Sequence, residues 1–164
     1  MHQVDSLYLL GCDSHTFVQT ANDVPERWGT IVSTERGMLG GWEVMIERNQ
    51  TTPAVNFAFW KGPDKGDFTG WTIANVPLDE WTHVGAVVDK NAQSFEFYVN
   101  GVVRGRATTT LGILPGSETL TMGQYPAGGR DLDGDVDEIA IWNRALATAE
   151  MAFLYEHPLP PLQP

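Results

Sequence analysis

The sequence contains one cysteine, Cys12, among 164 residues, so no intramolecular disulfide can form. Its four histidines are not spaced from Cys12 or from one another as zinc ligands are. No apolar run approaches the roughly 20 residues needed to cross a membrane as a helix, which excludes membrane insertion of that kind. No charged-then-apolar signal segment follows Met1. Either the chain stays inside the cell, or it is excised from a longer secreted protein.

Positive charge is also scarce, with 10 Lys and Arg against 21 Asp and Glu and a net charge of −11. A field of this sign repels phosphate backbones, so nucleic acid is excluded as an expected partner. The Gly-rich phosphate loops and the Gly-x-Ser-x-Gly nucleophile motif are absent too. The composition therefore favours neither nucleotide chemistry nor serine hydrolysis.

The composition that is present is that of one globular domain with many turns. Hydrophobic residues make up 42% and charged residues 19%, and there are 17 glycines and 10 prolines. This balance is incompatible with wholesale disorder, and the length suits one core. We predict a single domain over residues 1–157, followed by a proline-rich tail or linker over residues 158–164.

Short alternating runs bounded by Asn, Asp and Gly predict antiparallel strands. The strongest are Trp81–Asp89, Ser94–Val103 and Leu132–Leu146, and Asn100-Gly101 is typical of a hairpin turn. In Trp42–Arg48 one face carries Trp42, Val44 and Ile46, which predicts a half-buried strand. The helix predicted after Leu146 has Thr148 as its cap. Many strands and one helix indicate an all-β sandwich.

The three strong segments carry a family resemblance. Trp81–Ala86 is similar to the motif W-x-H-V-A, with Gly85 where Ala is usual, Tyr98–Gly101 to Y-V-N/D-G, and Gly134–Leu146 to G-x-I-D-E-V-x-I-W-N-R-A-L. Together they resemble the second half of a laminin-G-like, concanavalin-A-like jelly-roll domain. The resemblance implies a two-sheet antiparallel jelly-roll β-sandwich with one short C-terminal helix, in an extracellular or cell-surface protein. The family's usual first strand, which pairs beside the last, is not evident before Leu7.

The residues around Asp131–Glu138 form an acidic cluster, in which Asp133, Asp135 and Asp137 share a parity. Calcium prefers several carboxylate and carbonyl oxygens in a flexible loop, and the resemblance implies calcium near a sheet rim. An EF-hand is excluded because the twelfth position from Asp131 is Trp142 rather than Glu. These three aspartates are therefore the candidate ligands for a calcium ion. The alternative is a solvated turn in which Asp137 bonds to backbone.

Aromatic and basic residues at loops are candidates for ligand contact. Trp60 and Trp71 flank the loop Lys61–Gly70 and could form an exposed platform for a sugar face. Arg130 closes the glycine-containing loop Gln124–Arg130, where it could bind sugar hydroxyls. The remaining tryptophans of the strong strands are expected in the core: Trp42, Trp81 and Trp142.

No catalytic residues are predicted. Glucanases of this fold carry Glu-x-Asp-x-(x)-Glu along one strand, and that run is absent here. Cys12 and His15 are weak candidates for a nucleophile and base, and His83 is expected to be a satisfied sheet residue. The first hypothesis is a non-catalytic module that binds a glycan or a cell-surface protein. The alternatives are a structural protein that forms homo-oligomers, and a glycan hydrolase or lyase.

Overall fold

A computed structural model describes residues 6–13, 28–34, 40–47, 54–60, 68–74, 81–89, 91–108, 119–132 and 134–157. These residues form ten β-strands and one α-helix. The strands are β1 (Ser6–Asp13), β2 (Trp28–Ser33), β3 (Trp42–Glu47), β4 (Ala54–Trp60), β5 (Phe68–Ala74), β6 (Thr82–Asp89), β7 (Ser94–Val99), β8 (Val102–Thr108), β9 (Thr121–Met122) and β10 (Asp135–Trp142), and the helix is α1 (Thr148–Glu156). None of the described segments forms a helix with the length and hydropathy that a membrane span needs.

The chain divides into two compact units, each with one five-stranded sheet. The first unit comprises Met1–Cys12, Trp81–Thr109 and Val136–Pro164, and the second comprises Asp13–Glu80 and Thr110–Asp135. The predictions of one domain over residues 1–157 and a tail over 158–164 stay predictions. Residues 158–164 lie outside the described residues, and so does Thr16–Thr20, whose weak alternation in the sequence suggests a further strand.

The sheet of the first unit has the strand order β10-β1-β6-β7-β8. Strand β1 therefore lies between β10 and β6, and it takes the place of the first strand that the sequence left unassigned before Leu7. Asn100 and Gly101 join β7 to β8 with φ angles of +50° and +71°. Positive φ at both residues is what a tight hairpin turn of this kind requires, so the predicted turn is confirmed.

The core of the first unit packs α1 against its sheet. Val87, Tyr98, Leu146 and Met151 are buried together, and half-buried Trp142 and Leu154 pack against them. Trp142 therefore contributes to the core as predicted. Trp81 does not, because it precedes the first residue of β6 and its side chain is 55% exposed.

The start of α1 differs from the prediction. The N-cap is Ala147, and Thr148 is already the first helical residue. Glu150 takes over the capping role, since its Oε2 accepts a hydrogen bond from the Ala147 N–H at 2.8 Å. Arg144 donates to both oxygens of Glu150 at 2.7 and 2.8 Å. These bonds, with the Arg144 guanidinium first among them, lower the pKa of Glu150 to about 2.

The sheet of the second unit has the order β5-β4-β3-β2-β9. Strand β3 lies at its centre, and Val44 pairs with Phe57 of β4 in an apolar face. The prediction that β3 is half-buried is wrong, because all six of its residues are buried. Trp42 is buried as expected. At the edge lies β9, whose two residues pair with Val32 and Ser33 of β2.

Candidate functional site

The face of β3 opposite to Val44 carries buried polar side chains. Glu43 is 0% exposed, and Glu47 is buried on the same face with Met45 between them. Thr30 of β2 donates from its Oγ1 to Oε1 of Glu43 at 2.6 Å. Asn56 of β4 donates to Oε2 of Glu47 at 3.5 Å. Two carboxylates therefore lie along the middle strand, and polar groups of both neighbouring strands bind them.

Arg130 binds the more deeply buried of these carboxylates. Its Nη1 donates to Oε2 of Glu43 at 2.8 Å, and its side chain is 26% exposed. The guanidinium carbon lies 4.5 Å from the centre of the Tyr125 ring, in a cation–π contact. The cation is thus held from two sides while part of it reaches the surface.

The segment Gly123–Leu132, here called the arginine loop, presents Arg130. Arg130 adopts φ +52°, a left-handed conformation that is uncommon for a residue with a side chain. Its carbonyl accepts a hydrogen bond from the Thr30 N–H at 2.8 Å, and the Gly123 N–H donates to the Ile31 carbonyl at 3.0 Å. Both ends of the loop are therefore tied to β2, which fixes the position of Arg130 relative to Glu43.

Hydrogen bonds within the arginine loop hold its shape. The N–H of Gly128 donates to the Tyr125 carbonyl at 2.8 Å, and the N–H of Tyr125 donates to the Gly129 carbonyl at 3.1 Å. Gln124 donates to Oδ1 of Asp131 at 2.9 Å. A rigid loop with a planar cation and an aromatic ring loses little entropy on binding, and its polar groups suit hydroxyl-rich ligands.

The predicted ligand residues are only partly brought together. Arg130 lies at this site, and the aromatic residue beside it is Tyr125. Trp60 pairs with Phe68 and Trp71 pairs with Phe57, at positions of opposite parity in the β4–β5 ladder. The role of Trp60 and Trp71 in binding stays a prediction.

The predicted calcium ligands give a different picture. Asp135 and Asp137 are exposed in β10, and Asp133 lies outside the described residues. Oδ1 of Asp137 accepts a hydrogen bond from the Glu138 N–H at 2.8 Å, as expected for the alternative of a solvated turn. In the part of the chain that the structure describes, no three His, Cys, Asp or Glu residues gather as a metal site. Calcium binding stays a prediction.

His83 of β6 is buried, as expected of a sheet residue. Its Nδ1 accepts a hydrogen bond from the Gly101 N–H at 3.1 Å, and its ring lies 5.7 Å from that of Tyr155. Burial lowers the pKa of His83 to about 4. The imidazole is therefore neutral near pH 7 and supports the hairpin turn.

Sequence reasoning missed three residues of the site: Glu43, Thr30 and Tyr125. The glucanase-type run with a central aspartate is absent, as expected, because Met45 occupies that position. The signal for Glu43 and Glu47 was nevertheless present, since the alternation in β3 places both on one face. The contact of Glu43 with Arg130 joins residues 87 positions apart, and no local pattern encodes it.

Comparison with solved structures shows the same fold in several proteins. CBM40 of the Ruminococcus gnavus IT-sialidase, bound to α2,3-sialyllactose, has 10% identity and a TM-score of 0.72, over 94% of this chain and 84% of that one. The heptameric SAP-like pentraxin of Limulus polyphemus has 15% identity and a TM-score of 0.63, over 93% and 70%. The binding domain of botulinum neurotoxin serotype G has 13% identity and a TM-score of 0.68, over 93% and 36%. No curated protein sequence matches the chain.

Two antiparallel sheets, one short helix and these structural relatives define an all-β protein of the jelly-roll β-sandwich class. The predicted fold class is therefore confirmed. Residues 17–152 match the laminin-G-like model described as the concanavalin A-like lectin/glucanases superfamily. Since this match covers most of the sequence, the chain belongs to that superfamily.

Proposed function

We propose that this protein is a non-catalytic binding module that recognises a carbohydrate through the arginine loop. The observation that carries the proposal is Arg130, held between buried Glu43 and the ring of Tyr125 while 26% of its side chain is exposed. A fixed guanidinium donates hydrogen bonds to hydroxyls, and a neighbouring ring packs against the apolar face of a sugar. The structural relative that is bound to sialyllactose supports a carbohydrate ligand.

A glycan-active enzyme on the same fold fits the site less well. A glycosidase needs one carboxylic acid to donate a proton and a second carboxylate to act as nucleophile or base. Both oxygens of Glu43 already accept hydrogen bonds, from Thr30 and Arg130. Glu43 is therefore engaged in positioning Arg130, so the pair Glu43 and Glu47 supports binding better than hydrolysis.

Calcium and self-association belong to the proposal as finer points. Asp133, Asp135 and Asp137 would hold a calcium ion that assists recognition. Homo-oligomers would present several sites at once, and one of the structural relatives is a heptamer. A cell-surface protein remains the alternative partner, and a glycan attached to it would make both descriptions true.

The test is a glycan-binding measurement on a charge-conserving variant, Arg130→Lys. Lysine keeps a positive charge beside buried Glu43, but it loses the planar fork and the stacking on Tyr125. We expect the affinity for the glycan that the wild type binds most tightly on an array to fall about tenfold, with little change in the melting temperature. Calorimetric titration of wild type and variant would measure the ratio.

The matched control is Arg104→Lys, because Arg104 is an exposed arginine of β8 in the other unit. It should bind as the wild type does. Equal glycan affinities of the wild type and Arg130→Lys would show that the arginine loop is not the binding site. Absence of any glycan that binds the wild type would refute carbohydrate recognition itself.

A further inference from the structure

We propose that this site selects neutral glycans and rejects sialylated and other anionic ones. The inference rests on the proposed function and specifies the ligand class of the same site. It comes from the charges around Arg130, which differ from those of an anion-binding arginine.

The positive charge of Arg130 is already paired with a carboxylate of the protein. Its Nη1 binds Oε2 of Glu43 at 2.8 Å, and the other oxygen of Glu43 accepts from Thr30. Because Glu43 is fully buried, water does not screen its charge, and the pair has no net charge to offer an incoming anion. A ligand carboxylate that approached Arg130 would also approach Glu43.

Additional carboxylates of the second unit increase the negative potential. Glu47 lies two positions beyond Met45 on the same buried face, and Asp131 follows Arg130 directly. Over its whole sequence the second unit carries 14 Asp and Glu against 6 Lys and Arg, which gives it a net charge of −8. The potential that an anionic sugar meets is therefore unfavourable.

A neutral sugar is suited to the same groups. Each hydroxyl both donates and accepts hydrogen bonds, so it can pair with the guanidinium and with a carboxylate. It brings no charge that must be desolvated near Glu43. Specificity then follows from repulsion of the wrong ligand as much as from attraction of the right one.

The experiment compares matched glycan pairs on one surface, each neutral oligosaccharide beside its sialylated form, with lactose and α2,3-sialyllactose as the simplest pair. We expect the neutral member of each bound pair to bind at least about fivefold more tightly at low salt, with a smaller ratio at high salt. Equal or tighter binding of the sialylated members would overturn the inference and leave the proposed function standing. If neither member of any pair binds, the proposed function fails and the inference fails with it.

Two substitutions test the electrostatic cause. Glu43→Gln removes the buried charge and should raise the relative affinity for the sialylated member at least about threefold. Asp131→Asn removes an exposed charge beside Arg130, and it should raise the relative affinity for the sialylated member by a smaller factor. This variant keeps the test valid if Glu43→Gln folds poorly. Glu156→Gln, an exposed acid at the end of α1, changes the net charge equally and should leave the ratio unchanged. An equal change of the affinity ratio in all three variants, or no change in Glu43→Gln and Asp131→Asn, would refute this electrostatic cause.

Discussion

Glycine at position 101 satisfies two separate requirements. It adopts φ +71° in the β7–β8 turn, and a Cβ atom there would lie 3.0 Å from the ring and the Cβ of Tyr155. The first requirement comes from the turn itself and the second from the close approach of α1. A larger residue at position 101 would therefore disturb both the hairpin turn and the packing of α1 against it.

Gly101→Ala separates these two effects when it is compared with Gly123→Ala. Gly123 has a similar φ of +73°, but nothing lies within 4 Å of a Cβ built there. We expect Gly123→Ala to lower the free energy of unfolding by about 1 kcal/mol through its backbone conformation. Gly101→Ala should lower it by about 1 kcal/mol more, because Tyr155 must move. Urea unfolding measures both, and equal losses would show that the helix adapts without cost.

At the scale of elements, His83 connects three parts of the first unit. It belongs to β6, its Nδ1 accepts from the Gly101 N–H of the β7–β8 turn, and its ring lies beside Tyr155 of α1. Asn100 adds two bonds, since its N–H donates to the His83 carbonyl at 2.9 Å and its Oδ1 accepts from the His83 N–H at 3.0 Å. Protonation of Nδ1 would place two N–H donors against each other and break the link to Gly101.

The stability of the protein should consequently depend on pH through His83. The folded-state pKa is about 4 and the ordinary value is 6.5, so the unfolded chain binds more protons between these values. The contribution of neutral His83 to the free energy of unfolding is fully present above pH 6.5 and is lost as the pH falls towards 4. The total loss is about 3 kcal/mol. Unfolding free energies measured from pH 4.5 to 7 should show this slope in the wild type.

His83→Gln is the control for this pH dependence, because glutamine keeps an acceptor and does not titrate. Its unfolding free energy should be nearly constant over the same range. A wild-type slope that persists in His83→Gln would assign the effect to other groups. Glu150 does not add to this slope, because its pKa is lowered from 4.5 to about 2 and its stabilising effect is lost only as the pH falls below 4.5.

For the whole molecule, the net charge of −11 makes cation binding the first property to test. Excess calcium should raise the melting temperature if Asp133, Asp135 and Asp137 bind it, and a chelator should reverse the shift. A ligand at a hundredfold excess over its Kd adds about 2.7 kcal/mol of stability. The double variant Asp135→Asn/Asp137→Asn should lose the shift. An equal shift in that variant would assign the calcium effect to another site.

The sequence predicts the fold far better than it predicts the site, and particular residues show why. Alternation in Trp42–Glu47 and the Asn100-Gly101 turn are local patterns. The first predicts the strand β3 correctly but not its burial on both faces, and the second predicts the observed turn. Burial of the second face of β3 depends on the arrangement of distant segments, so Glu43 looks exposed from its own strand. Trp81 looks like core because its strand does, yet it falls one residue before the first ladder position.

The ties between the arginine loop and β2 have a consequence for engineering and aggregation. Strand β9 pairs with only two residues of β2, and the loop's bonds to Thr30 and Ile31 occupy part of the edge that remains. An uncovered edge is a template on which a second chain can add a strand. Substitutions are therefore safest at the exposed tip, Pro126–Gly128, because deletion of the whole loop would uncover this edge of β2 and favour intermolecular β-sheet.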